Sequence, residues 1–336
     1  SRVRRLLPRI LLALVVLLLV YYLGGAWWIH KIDDDPAFTP PQPTAGGSYA
    51  VDMAAALIDR EVNGHGWPAN DPFFMPGSIL DNMPNYQTGM IYALSRFAIE
   101  LSDQLGRSRG SSSIDPDLDR AAGLLKYPGN IWIFDLSRSL APTASSESQY
   151  RQARQALLAF NQRLAAKQAT FDVRADNLID TLERFNSDLG AMSGAIDEHL
   201  SQNTGWLLNF QVDDIFYQTK GRLYGYFMII SALGRDFQPV IDERNLGAVW
   251  NQMLASAEQA ATQQPWVVLN GSQQPVHPEP SRQPGLPAAA AAHAAPRDLQ
   301  RPTEVGPEPG ESGREPRDAS ADRGDVGDEL AGAVVP

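Results

Sequence analysis

The distribution of apolar residues divides the chain into unlike parts. Ile10 to Ile29 is a run of 20 residues without a charge. As a helix it is long enough to cross a hydrocarbon core about 30 Å thick. Backbone groups in lipid must pair internally, and a helix does this within a single segment. Beyond this run the apolar positions recur at helical spacing. Val51, Ala54, Ala55, Ile58 and Val62 form one stripe, with Ser48 placed as its N-cap. Met90, Ala93, Leu94, Phe97 and Leu101 form a second. The segment 115–127 reads as a short helix with acidic residues in its first turn, where the helix dipole favours them. Leu223 to Leu233 is strongly apolar but too short to span a bilayer, so it reads as a buried helix. Leu246, Val249, Met253 and Ala257 mark the last stripe. Strand-like alternation is almost absent, apart from a brief extended piece around Ile131 to Phe134. The fold class is therefore all-α, with six to eight helices: one N-terminal transmembrane helix followed by an extramembrane helical bundle.

The longest regular section spans residues 150–200. Tyr150, Ala153, Leu157, Phe160 and Leu164 keep one register, and Leu178, Leu182, Phe185, Leu189, Met192 and Ile196 keep another. Sustained three-and-four spacing with charged flanks is the coiled-coil pattern. The phase slips near Asp172 to Asp176, which predicts an antiparallel pair of coiled-coil-like long helices or one kinked helix. Packing of both arms into the domain's own bundle is the simpler reading. Self-association through these helices is the expectation if they pack outward.

The flanks of the apolar run orient it. Arg2, Arg4, Arg5 and Arg9 precede it, and Lys31 and Asp33 to Asp35 follow. Positive charge stays on the cytoplasmic side, so residues 1–9 are placed in the cytoplasm and the main domain in the periplasm of a bacterial inner membrane. Tyr21, Tyr22, Trp27 and Trp28 sit toward the outer end, where amphipathic rings prefer the interface. Arg4, Arg5, Arg9, Trp27 and Trp28 are thus the anchor residues, and the lipid bilayer is the first partner. A cleaved signal peptide using Gly24 and Ala26 is the competing reading, but the run exceeds a usual signal core and aromatics follow at once. The Pro- and Gly-rich stretch Ala37 to Gly47 lies in a linker, 30–47, that spaces the domain from the membrane. The helical domain then covers 48–271.

Charge and composition narrow the partners. The net charge is −11, which disfavours nucleic acid. Cysteine is absent, so disulfides, thiol catalysis and thiolate metal sites are excluded. Residues 272–336 hold 11 acidic residues, 6 basic residues and 11 of the 25 prolines. This composition reads as a disordered tail.

Candidate chemistry is sparse. His65 and Asp71 lie close in "NGHGWPAND" and could serve acid–base work. A lone loop histidine is more often a hydrogen-bonding residue. Nothing supplies a nucleophile elbow, no two of the five histidines have metal-ligand spacing, and neither "YPGN" nor "LGAMSG" completes a phosphate loop. No cofactor is therefore expected. Asp213 and Asp214 near Lys220 read as a solvated ion pair. The loop 63–85 is the best recognition candidate, through His65, Trp67, Asp71, Phe73, Phe74 and Asp81. A structural lid over the bundle is an equal alternative for it. The resulting expectation is a non-catalytic, membrane-anchored scaffold that binds an envelope protein or itself. The alternative is an envelope enzyme, or a lipid- or peptidoglycan-binding module, using that loop.

Several long phrases carry a resemblance: "HGWPANDPFFMPGSILDNMPNYQTGM", "FDVRADNLIDTLERFNSDLG", "FYQTKGRLYGYFMI" and "WVVLNGS", together with the basic-then-apolar anchor. They resemble the proteobacterial single-pass membrane proteins of the domain of unknown function family 2333. The resemblance covers residues 1 to about 272. It implies a cell-envelope protein and assigns no activity, so it carries over no catalytic residue. In that family a polar stretch and then a basic amphipathic helix follow this point, and this chain has neither. A native disordered tail is one explanation. A reading-frame shift after Ser272 is the other, and it is favoured because the genetic code permits a Leu-, Arg- and Gln-rich helix in the shifted frame. On that explanation the bundle lacks its closing helix and keeps an apolar groove open.

Overall fold

The computed structural model describes residues 2–105, 114–134, 141–202 and 210–262. All of them belong to one compact unit, Ser1–Leu299, and a second unit, Gln300–Pro336, lies outside the described residues. So do the tail 272–336 and the question of its frame.

Nine α-helices follow one another among the described residues: α1 (Arg2–Ile29), α2 (Tyr49–Asp59), α3 (Asn82–Glu100), α4 (Pro116–Leu125), α5 (Ser146–Ala165), α6 (Ala175–Gln202), α7 (Phe210–Asp236), α8 (Gln238–Glu243) and α9 (Gly247–Ala261). No strand occurs among the described residues, so the protein is all-α as its periodicity predicts. The extended piece expected near Ile131 is a turn. Ser146 N donates to Ile131 O at 3.0 Å and Thr143 N to Ile133 O at 2.8 Å, and no strand forms there among the described residues.

α1 carries one apolar stretch, Leu6–Ile29, whose side chains remain exposed over most of its length. It is the one described helix long and apolar enough to cross a membrane.

The centre of the helical domain is the crossing of α3 and α7. Gly89 lies against the carbonyl of Gln218, and Gly221 lies against the carbonyl of Tyr86. A Cβ at either glycine would meet backbone, so the two helices approach as closely as they do because both positions lack one. The close approach packs Tyr86, Met90, Ala93, Leu94 and Phe97 of α3 against the buried run Leu223 to Leu233 of α7. Each such side chain contributes roughly 1.5–3 kcal/mol on burial. α2 packs beside α7 and is capped by two side chains. Ser48 Oγ accepts from Val51 N, and Asp236 at the end of α7 accepts from Ser48 Oγ, Tyr49 N and Ala50 N at 2.6–3.0 Å. Burial raises the Asp236 carboxyl above its ordinary range despite these three donors.

The two long helices expected over 150–200 are separate and have different neighbours. α5 lies on α2 and α4, whereas α6 meets α7. The chain reverses between them at Lys167, which adopts φ 61°. Tyr150, Ala153, Leu157 and Phe160 are buried, as are Leu178, Leu182, Phe185, Leu189 and Met192. Both stripes are therefore consumed by the domain's own core. A narrow apolar groove remains between α6, α7 and α9, lined by Leu182, Phe185, Leu223, Phe227, Ile230 and Met253.

Candidate functional site: the joint between α1 and the helical domain

The loop 63–85 does not extend into solvent. α2 continues into a wider π-helical turn, Arg60–His65, and short 3-10 turns follow at Pro68–Asn70 and Pro76–Ile79, each with proline at its start. This folded loop seats on the outer part of α1. Tyr22 Oη donates to Phe73 O at 2.6 Å and Tyr21 Oη to Phe74 O at 3.0 Å. Ser78 Oγ donates to Phe73 O at 3.2 Å and to Met75 O at 2.7 Å. Loop carbonyls that helix geometry would otherwise pair are paired by hydroxyls instead. A Cβ on Gly25 would stand 2.5 Å from Pro76 Cβ, so the anchor's glycine admits the loop's proline. Ala26 is buried in the same contact.

The chain leaving α1 is held still more firmly. Arg60, with a side chain only 8% exposed, faces the Asp33 carboxylate at 3.4 Å and Glu61 at 2.8 Å. It also donates to Asp33 O and to Tyr224 Oη, both at 2.9 Å, and lies over the Phe38 and Tyr224 rings. Burial opposes the Arg60 charge, but Glu61 and Tyr224 outweigh it and hold its pKa above the usual value. Lys220 of α7 pairs with Asp34 at 2.7 Å. Tyr86 Oη donates to Asp33 O at 2.7 Å and Tyr224 Oη to Asp35 O at 2.7 Å. Burial pushes the Tyr224 hydroxyl up to about 12, so it stays a donor across the physiological range. Asp33–Asp35 is thus bolted to α2, α3 and α7. The irregular segment after it also lies on the domain. Phe38 packs on the core, and Thr44 N and Oγ1 donate to Asp52 at 2.5 and 3.0 Å.

The six loop residues singled out from sequence go to five places. His65 joins the clamp. Its ring nitrogens face Glu61 at 3.4 Å and Asp33 at 3.6 Å, so its partners are these two carboxylates and not Asp71. Trp67 is buried, donating Nε1–H to Gly129 O at 2.7 Å and standing edge-on to Tyr150. Asp71 lies against Gly77, and burial, with Glu147 nearby, lifts its carboxyl to about 6. Asp81 opens α3 and accepts from Asn82 N at 2.8 Å. Asp213 and Asp214 are both raised by burial and by Asp81, and Asp214 accepts from Asn85 at 2.7 Å. Phe73 and Phe74 face outward, beside Trp132. The residues missed from sequence are Asp33, Asp34, Arg60, Glu61, Lys220 and Tyr224. The run of three aspartates directly after an anchor was their signal.

Among the described residues, no group of three His, Asp or Glu side chains is arranged to hold a metal ion. What the site does is join a helix of membrane-crossing length to a helical domain through paired charge and capped carbonyls. The molecule is an all-α protein with an N-terminal apolar helix docked to its own domain. The chain belongs to the family of uncharacterized proteins conserved in bacteria known as domain of unknown function 2333, whose pattern matches residues 4–205 and 195–276. No curated protein and no solved structure matches it.

Proposed function

We propose that this protein is a membrane-anchored helical scaffold of the bacterial cell envelope that positions a partner at the membrane rather than catalysing a reaction. Its basic N-terminus lies in the cytoplasm, α1 crosses the inner membrane and the helical domain stands in the periplasm. The arginines in the first turns of α1 and the aspartates after it support that orientation. One observation carries the scaffold reading. The groups best suited to acid–base work, His65, Glu61 and Asp33, are tied to each other and to Arg60 in the joint between anchor and domain. Such a joint holds the domain in a fixed attitude to the membrane, which is what a positioning element requires. Because the stripes of α5 and α6 are buried in the domain, an envelope partner engages other surface. Photo-crosslinking in intact cells from exposed positions of α5 and α9, such as Arg151 and Gln252, tests the proposal. A discrete crosslinked partner or dimer is expected. Recovery of neither, with the protein folded and in the membrane, contradicts it.

A further inference from the structure

A chain of aromatic rings runs across the membrane-proximal face. Phe73 meets Phe74 at 5.5 Å, Phe74 meets Trp132 at 5.7 Å and Trp132 meets Phe134 at 5.5 Å, each edge to face. Phe73 is 83% exposed, and Phe74, Phe134, Ile133 and Ile79 are also exposed. A contiguous apolar patch of this kind marks an interaction surface.

Its height along α1 identifies what covers it. The patch is fixed to the anchor by the bonds from Tyr21 and Tyr22 to the carbonyls of Phe74 and Phe73. Arg4 and Arg5 must stay outside the hydrocarbon, so its inner edge lies no lower than about Leu6. At 1.5 Å per residue, a core about 30 Å thick then reaches roughly residue 26. Tyr21 and Tyr22 fall about 6–8 Å inside that outer edge. If the core begins instead after Arg9, they lie deeper still. Any placement that keeps the arginines out of lipid therefore puts the Phe73 and Phe74 backbone at the depth of the outer acyl chains. The backbone there is already suited to lipid, because both carbonyls accept from tyrosine hydroxyls. Lys31 N donates to Met83 Sδ at 3.2 Å, so the start of α3, with exposed Asp81, sits beyond the end of α1 and in water.

We infer that the loop 72–79, together with Trp132 to Phe134, is a membrane-inserting foot that enters the outer leaflet beside α1. The bilayer is its partner. The domain then contacts lipid at a second place, displaced sideways from the anchor, and this restricts its tilt and rotation. The inference rests on the proposal that α1 crosses the membrane.

The absence of cysteine makes a depth measurement direct. Single-cysteine variants of the full chain, Phe73→Cys, Phe134→Cys, Leu18→Cys and Gln252→Cys, would carry an environment-sensitive fluorophore in proteoliposomes. Quenching by doxyl-labelled lipid is compared with quenching by aqueous iodide. Phe73 and Phe134 are exposed, so their replacement removes no core packing. Labels at 73 and 134 are expected to be lipid-quenched several-fold more than the label at 252, with that at 18 the deepest. Lipid quenching at 18 with iodide quenching at 73 and 134 overturns the foot and leaves the anchor standing. Shielding of 73 and 134 from both quenchers overturns it in favour of a protein covering the patch, such as a second copy. Iodide quenching at 18 overturns the anchor and the foot together.

Discussion

Arg60→Met should be among the most damaging single changes in the protein. The arginine is held by two carboxylates, a backbone carbonyl, a tyrosine hydroxyl and two aromatic faces. Methionine fills much of the same space, so the cavity penalty is small. The main loss is that Glu61, which is fully buried, is left without its nearest cation. Removing one member of a buried pair costs roughly 3–5 kcal/mol. An exposed pair such as Arg174 with Asp176 is worth about 0–1 kcal/mol. Against a total stability of about 5–15 kcal/mol, the difference is easily measured. Urea unfolding of the detergent-solubilised full chain, followed by tryptophan fluorescence, should show the midpoint falling with little change in slope. Adding Glu61→Gln to Arg60→Met should recover at least half of the loss, because the stranded carboxyl is gone and Gln87 still reaches that site. A loss below about 1 kcal/mol for Arg60→Met alone would show that the joint is no stronger than a surface ion pair.

Two further outcomes follow from the core and from the loop. Gly221→Ala drives a Cβ into the Tyr86 carbonyl where α3 crosses α7, so it should lower stability by about 3 kcal/mol or more, seen as a depressed melting temperature. The Asp71 carboxyl is raised from its ordinary 3.8 to about 6, so the folded state binds its proton more tightly than the unfolded state does. Wild-type stability contributed by Asp71 is then complete below about pH 4 and declines as pH rises to about 6. Asp71→Asn should consequently be more stable than wild type at pH 7 by about 1 kcal/mol, after allowance for solvent screening, and equal to it below pH 4. Paired urea titrations at the two pH values test this.

The helices, including the long apolar one at the N-terminus, were legible in the sequence because each depends on local periodicity. Ser48 as a cap, the stripe Met90 to Leu101 and the buried run Leu223 to Leu233 need only their own neighbours to be recognised. The joint was not legible in the same way. Asp33 meets Arg60 and His65, Asp34 meets Lys220, and Asp35 accepts from Tyr224, across separations that no spacing rule connects. The segment 30–47 reads as a spacer because proline and glycine favour an open chain, yet Phe38 and the Thr44–Asp52 bonds lay it on the domain. The His65–Asp71 pairing suggested by proximity in sequence fails for a geometric reason. His65 ends a π-helical turn facing the clamp, whereas Asp71 follows a separate 3-10 turn and faces Gly77. The stripes of α5 and α6 carry a coiled-coil spacing, but spacing cannot say whose surface will cover them.

The central claim is that the anchor and the helical domain form one body joined at the loop 63–85. The variant Gly25→Cys/Pro76→Cys tests it most directly, in a chain with no other cysteine. The two Cβ positions lie 2.5 Å apart, slightly inside normal disulfide spacing, so a bridge needs an opening of only about 1 Å. A protease site inserted at exposed Gln42 makes the bridge visible, because the two halves stay together under denaturing, non-reducing conditions only when it has formed. The account predicts near-complete bridging when isolated membranes are oxidised. It also predicts bridging in intact cells with no oxidant added, because the proposed periplasmic location supplies one. Two free, labelled thiols in oxidised membranes would contradict the docking of domain to anchor.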